Sequence, residues 1–341
     1  MANSYNVTAL PDYVDQHRDE LIAKAVLSDD VLSKLTLITG VKGPTALNRI
    51  ETDVVFGDGS TCGWNEAGST SLSQRVLIGQ PIKINMAICD KVLLDKWAAY
   101  KVRVEAGKTD RDLPFEKELV DSIIENVKSQ LVQRMFDIYD GSYPDIGYWG
   151  PESEGINKEY HLYSGIFRYV WTWNEYNRPD LDNETYMGYN VAHSTSYNET
   201  AYSYLKKVAA AFPAEILGKD DLVIFCSLPM FRMFIQDLVS ANLYHYDPAN
   251  GENEYKLPGT NITVIGVNAY DKNPGWPTGE SLVLGGSLSN FFYGTNLEDG
   301  EEIFDIWYSK DNREFRVAIE FVAGSQVAYP SEAVIGSFGA F

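Results

Sequence analysis

Phe56–Lys96, FGDGSTCGWNEAGSTSLSQRVLIGQPIKINMAICDKVLLDK, reads as a long polar hairpin that leaves a compact body and returns to it. Gly57, Gly59, Gly63 and Gly68 punctuate the outgoing arm, and Val76, Ile78, Ile82, Ile84 and Met86 alternate on the return. An arm of roughly 20 residues with little apolar surface cannot order itself alone, because each residue fixed costs about 1–2 kcal/mol. It needs a surface to lie on. One reading supplies that surface from a neighbouring copy of the same chain; the other packs the hairpin on its own domain.

Composition bounds the rest. The chain has 341 residues and is 45% hydrophobic, enough for a substantial core in one or two domains. No run of 18 apolar residues predicts a membrane span, and the start, MANSYNVTALPDYVDQHRDE, lacks the basic-then-apolar pattern of a secretion signal. Cys62, Cys89 and Cys226 are far apart with no CxxC pair, which fits free thiols in a reducing cytosol. The formal net charge of −20 opposes phosphate binding, and the longest basic run is Lys206–Lys207. Direct nucleic-acid recognition is therefore not expected.

Working outward, residues 12–38 predict an amphipathic helical arm carrying Val14, Leu21, Ile22, Ala25, Val26, Leu32 and Leu35, broken near Ser28–Asp30. A short helix is expected over 90–106 around Leu93, Leu94 and Trp97. Asp112–Tyr139 carries the strongest helical stripe: Val120, Ile123, Ile124, Val127, Leu131, Met135 and Ile138, with Gly141 where a C-cap belongs. Such a helix would run about 40 Å at 1.5 Å per residue, as a spine packed on a sheet.

Residues 143–204 are rich in Trp and Tyr, including Trp149, Trp171 and Trp173, against a chain average of 13% aromatic. They fit either a binding surface, since aromatic faces stack on sugars and anchor interfaces, or an irregular subdomain that uses them as its small core. Helices are expected over 197–211 and Met230–Leu238, and strands at Leu222–Cys226, Ile262–Val267 and Leu282–Leu284. Phe304, Ile306 and Tyr308 alternate, Asp311–Asn312 turns the chain, and Phe315, Val317, Ile319 and Phe321 alternate back. That is a half-buried antiparallel hairpin, with Gln326, Ala328 and Pro330 closing the sheet at an edge.

Catalytic signatures are missing. His17, His161, His193 and His245 stand alone, without HxH or HExxH spacing, so no metal site is expected. No GxSxG elbow occurs, and the cysteines lack a nucleophile's surroundings. Ile38–Thr45, ITGVKGPT, approaches a phosphate loop but lacks the Lys-Ser/Thr pair. DLDNE at 180–184 has no glycine where a calcium loop needs one. No catalytic residue, cofactor or metal is assigned.

The order of these pieces resembles the major capsid proteins of tailed bacteriophages, the HK97-like fold, from about residue 30 to the C-terminus apart from the aromatic segment. CGWNEAG, a serine-rich tip and IGQPIKINMAICDKVLLD look like that family's extended loop, its returning strand and the next helix. Asp112–Tyr139 running into FDIYDGSYPDIGYWG looks like the spine helix and its following turn. ILGKDDLVIFCSLPMFRMFIQDL is similar to the axial strand and helix. LPGTNITVIGV, ESLVLGGSLSNFFYGTN and FRVAIEFVAGSQVAYPSEAVI resemble the closing pattern, with its proline-then-Glu-Ala finish at Pro330, Glu332 and Ala333.

The resemblance implies an α+β fold divided as follows: an N-terminal arm (1–50), the extended loop (51–88), a peripheral domain with the spine helix (89–142, completed by 300–330), an aromatic-rich insertion (143–198), an axial domain (199–299) and a C-terminal tail (331–341). It implies a homo-oligomer of pentamers and hexamers forming an icosahedral virion shell around double-stranded DNA, assembled in the host cytoplasm, without membrane contact. Scaffolding and portal proteins are implied partners, with room for decoration proteins. The loop would lie across an adjacent subunit through Trp64, Asn65, Glu66 and Arg75, while the N-terminal arm clasps another. Trp149, Trp171 and Trp173 would form a surface or contact insert. Some relatives join subunits by a Lys–Asn isopeptide bond, but no lysine lies between Gly57 and Pro81, so locking is expected to be non-covalent. Two other readings stay open: an encapsulin-type nanocompartment, and a cytosolic sugar-binding or carbohydrate-active protein that uses the aromatic insert.

Overall fold

The computed structural model of the chain describes residues 9–27, 31–56, 68–89, 91–92, 95–98, 102, 115–136, 165–167, 169–170, 199–245, 253–268, 280–296 and 303–339. In chain order its elements are α1 (Ala9–Leu27), β1 (Thr36–Ile38), β2 (Thr45–Val54), β3 (Gly68–Leu77), β4 (Gln80–Cys89) and α2 (Phe115–Met135). They continue with α3 (Ala201–Ala210), β5 (Leu222–Ser227), α4 (Leu228–Ser240), β6 (Glu254–Lys256), β7 (Thr263–Val267) and β8 (Glu280–Ser287). The last are β9 (Phe291–Thr295), β10 (Ile303–Ser309), β11 (Glu314–Val327) and β12 (Val334–Gly339).

The predicted alternation pairs in register. Phe304 faces Ile319, Ile306 faces Val317 and Tyr308 faces Phe315 across β10 and β11. β11 also pairs antiparallel with β4, and its far end pairs with β9, to which β1 adds in parallel. Helices α1 and α2 cover this first sheet. Val120, Ile123, Ile124, Val127, Leu131 and Met135 of α2 are buried, as their 3.6-residue spacing requires. The described helix is 21 residues, about 31 Å of the expected 40 Å; the expected ends over 112–114 and 137–139 lie outside the described residues.

Three sequence expectations are corrected here. Residues 36–38 are not the end of the helical arm: Thr36, Leu37 and Ile38 pair with Phe292, Tyr293 and Gly294 as a strand, which suits a segment rich in β-branched side chains. Residues 9–27, expected as part of an N-terminal arm, pack on their own body and bury Leu10, Val14, Leu21, Ile22, Ala25 and Val26 in its core. The Lys24 ammonium also pairs with Asp121 of α2 at 2.5 Å. Finally, the expected C-terminal tail supplies β12, buried along its whole length and paired with β8.

That strand completes a second sheet, ordered β12-β8-β5-β7-β6. Its central strand shows why LVIFC is apolar throughout. Leu222, Ile224 and Cys226 face a core built with α3 and α4, while Val223 and Phe225 face the core of the first sheet. The ring of Phe225 lies 5.3 Å from Phe136 and 6.2 Å from Phe291, so aromatic packing joins the two sheets. Thr200 caps α3 through the Ser203 N–H, and Ser227 caps α4 through the Met230 N–H. Of the aromatic insertion, residues 165–167 and 169–170 are described; Ile166, Phe167 and Val170 are buried in the first core, and Tyr169 packs against it.

Candidate functional site

Outside the two sheets, β2 and β3 form a separate antiparallel ribbon, in register from Thr45 opposite Leu77 to Val54 opposite Gly68. Ten residues at about 3.3 Å each give a ribbon about 33 Å long. The pairing differs from the sequence expectation. The outgoing strand is Thr45–Val54, upstream of the glycines assigned to it. Ile82, Ile84 and Met86, assigned to the returning arm, belong to β4 in the first sheet, opposite Phe321, Ile319 and Val317.

Burial changes sharply along the ribbon. At its root Leu47 and Leu77 join Val41 in a small buried cluster, with Ile38 and Phe292 packed against it. Backbones close in here. A Cβ added to Gly324 of β11 would lie 2.5 Å from the Ile78 carbonyl oxygen, so only glycine permits that crossing. Farther out, the apolar side chains are in water. Ile50 is 61% exposed, Val54 67%, Leu72 77% and Phe56 96%.

These residues share a face. Period-two alternation puts Ala46, Asn48, Ile50, Thr52 and Val54 on the same side as Thr70, Leu72, Gln74 and Val76, with Ile50 directly opposite Leu72. No ionisable residue occupies that face, in a chain with 48 acidic and 28 basic residues. An uncharged ribbon face with exposed Ile, Leu and Val is suited to burial against another surface.

Arg75 is on the opposite face, half-buried at the root. Its Nη1 donates to the Val327 carbonyl at 3.1 Å and to Gln326 Oε1 at 3.4 Å. The residue expected to touch a neighbouring subunit is therefore engaged by its own chain. Trp64, Asn65 and Glu66, and likewise Trp149, Trp171 and Trp173, lie outside the described residues. Sequence reading missed Ile50, Val54 and Leu72. The alternation Ala46-Asn48-Ile50-Thr52-Val54 was the signal, but the glycines marked an outgoing arm from residue 57 inside a loop bounded at 51–88, short of the strand's start at Thr45.

Among the described residues, no group of three or more His, Cys, Asp or Glu side chains is placed to hold a metal ion, and no helix is long and apolar enough to cross a membrane.

The sequence matches no protein-family model and no curated protein. Its structure does match solved ones. A chain of the satellite phage P4 procapsid, which includes the size-determination (Sid) protein, covers 95% of this chain over 92% of its own length, with 12% identity and a TM-score of 0.56. A chain from Gordonia phage Cozz covers 91% of this chain over 86% of its own, with 8% identity and a TM-score of 0.53. At such identities the likeness is one of fold. The resemblance to tailed-phage major capsid proteins read from the sequence holds at that level: this mixed α+β chain shares its fold with chains of phage particles.

Proposed function

We propose that the chain is a major capsid protein, a structural subunit that assembles through many copies into the icosahedral head of a tailed phage. The carrying observation is the conjunction of a capsid-type fold over nearly the whole chain with a ribbon whose uncharged face is exposed in the single subunit. In a shell that face lies on an adjacent copy. Apolar burial, at about 25 cal/mol per Å², then supplies the energy that an isolated ribbon lacks.

The finer reading follows the same logic. Subunits form pentamers and hexamers, scaffolding and portal proteins assist assembly, and the particle encloses double-stranded DNA without reading its sequence. With a formal charge of −20, the subunit repels polyanions, which keeps packed DNA from adhering to the wall. Locking is non-covalent, since the stretch 57–81 offers no lysine. Its role is structural rather than catalytic.

Negative-stain electron microscopy of the purified full chain tests this. Closed shells of uniform diameter are expected, dissociating to a single monomer band on a denaturing gel. Monomers that stay dispersed under every assembly condition would overturn the shell reading, and a ladder of linked subunits would overturn non-covalent locking. A co-purifying enzyme inside the shells, with no DNA, would point to a nanocompartment instead.

A further inference from the structure

The ribbon meets the body through two unlike attachments. The first is the apolar root, where Leu47, Leu77 and Val41 are buried together. Apolar burial is non-directional, so this contact fixes where the ribbon starts but only weakly fixes where it points. The second is polar. Arg75 Nη1 donates to the Val327 carbonyl at 3.1 Å and to Gln326 Oε1 at 3.4 Å, while Gln326 Nε2 donates to the Val76 carbonyl at 2.8 Å. The Gln326 side chain is itself held by the Val327 N–H, which donates to Oε1 at 3.0 Å, and it is 5% exposed.

All four bonds are directional, and the two donated by the Arg75 guanidinium are charge-assisted. Arg75 lies two residues outward from Leu77 on β3, about 7 Å along the ribbon and directly opposite Leu47, on the outer edge of the apolar root. At that edge the polar bonds add the direction that apolar contact lacks. Beyond Arg75, the side chains of Asn48, Ile50, Thr52, Val54, Leu72 and Gln74 make no hydrogen bond to another described residue, so no further anchor among them sets the angle.

We infer that Arg75 and Gln326 form a latch that sets the angle of the ribbon to the body, and with it the curvature at which neighbouring copies join. The inference rests on the shell reading only for its second half. Arg75 here is a positioning residue: it acts on assembly through the direction of the ribbon, without touching the neighbour.

The test is hydrogen exchange on the unassembled full chain, comparing wild type with Arg75→Ala, Gln326→Leu and Arg75→Lys. Loss of a charge-assisted hydrogen bond multiplies an opening equilibrium by about ten or more, so amides of 45–48 and 74–77 should exchange about tenfold faster in the first two variants. Amides of β5 and β7 should be unchanged, showing that the body stays folded. Lysine, which cannot fork to both acceptors, should fall between. If neither Arg75→Ala nor Gln326→Leu accelerates the root amides, the latch is refuted whatever the chain assembles into. If exchange rises but particle diameters remain as narrow as wild type, the link to curvature is refuted. Wild-type protein that forms no shells would instead count against the proposed function and leave the latch to be judged by exchange.

Discussion

Replacing Ile50 and Leu72 by aspartate separates assembly from folding. In the single subunit Ile50 is 61% exposed and Leu72 77% exposed. Full burial of such side chains is worth about 1.5–3 kcal/mol each, so the fraction still exposed leaves about 2–4 kcal/mol for the pair to gain at a neighbour. That corresponds to about a thirtyfold to thousandfold change in the association constant of each contact. Aspartate forfeits this gain and adds the desolvation of a carboxylate. The free subunit should scarcely respond, because substitutions at exposed positions usually stay within about 0.5 kcal/mol. Light scattering across a concentration series should show that Ile50→Asp/Leu72→Asp raises the assembly threshold by at least thirtyfold, while thermal unfolding of the unassembled chain matches wild type. Leu72→Met, which keeps the volume, should assemble normally. If the double aspartate variant assembles at the wild-type threshold, the face is not buried in the shell and the central reasoning is wrong.

Two further substitutions probe the body. Gly324→Ala places a Cβ 2.5 Å from the Ile78 carbonyl and 3.2 Å from the Gly79 Cα, atoms of the backbone that cannot rotate away; a loss of about 1–3 kcal/mol in urea unfolding is expected, with faster proteolysis at the ribbon. Asp221 accepts hydrogen bonds from the Ser287 hydroxyl at 2.6 Å and the Ser289 N–H at 3.0 Å. Burial alone would raise its pKa, but these bonds outweigh it and hold the carboxyl below its ordinary range. Its stabilisation is therefore complete above the unfolded-state pKa and is lost as pH falls through the lower folded value. Asp221→Asn should lower the melting temperature near neutral pH and flatten its acid decline; an unchanged acid limb would show that Asp221 is not a source of that dependence.

The sequence was most legible where burial imposes a period. The stripe from Val120 to Met135 and the alternation across Phe304–Tyr308 and Phe315–Phe321 identify the spine helix and its sheet, because a slip of one residue would turn apolar side chains to water. LVIFC announced a strand buried on both faces. Legibility failed where neighbours in space are far apart in sequence. Nothing near Val334 says that it will pair with β8, and nothing near Arg75 reveals Gln326, which lies 251 residues away. The ribbon was misplaced for a related reason. None of the described side chains of its outer half is buried, so glycine punctuation was a louder signal than the uncharged alternation from Ala46 to Val54.

That uncharged alternation is also the strongest argument against a self-sufficient monomer. A two-stranded ribbon is at best marginally stable in water. Here, among the described residues, the root is buried, while Ile50, Val54, Leu72 and Phe56 extend outward in solvent. Packing on the ribbon's own body would explain the small cluster around Leu77, but not apolar residues left exposed among the described residues of that body. A highly acidic chain that merely needed a soluble loop would place carboxylates on both faces of it. Keeping ionisable groups off the face that carries Ile50 and Leu72 has a physical purpose if that face becomes buried, and the surface available to bury it, repeated in the correct geometry, is another copy of the chain.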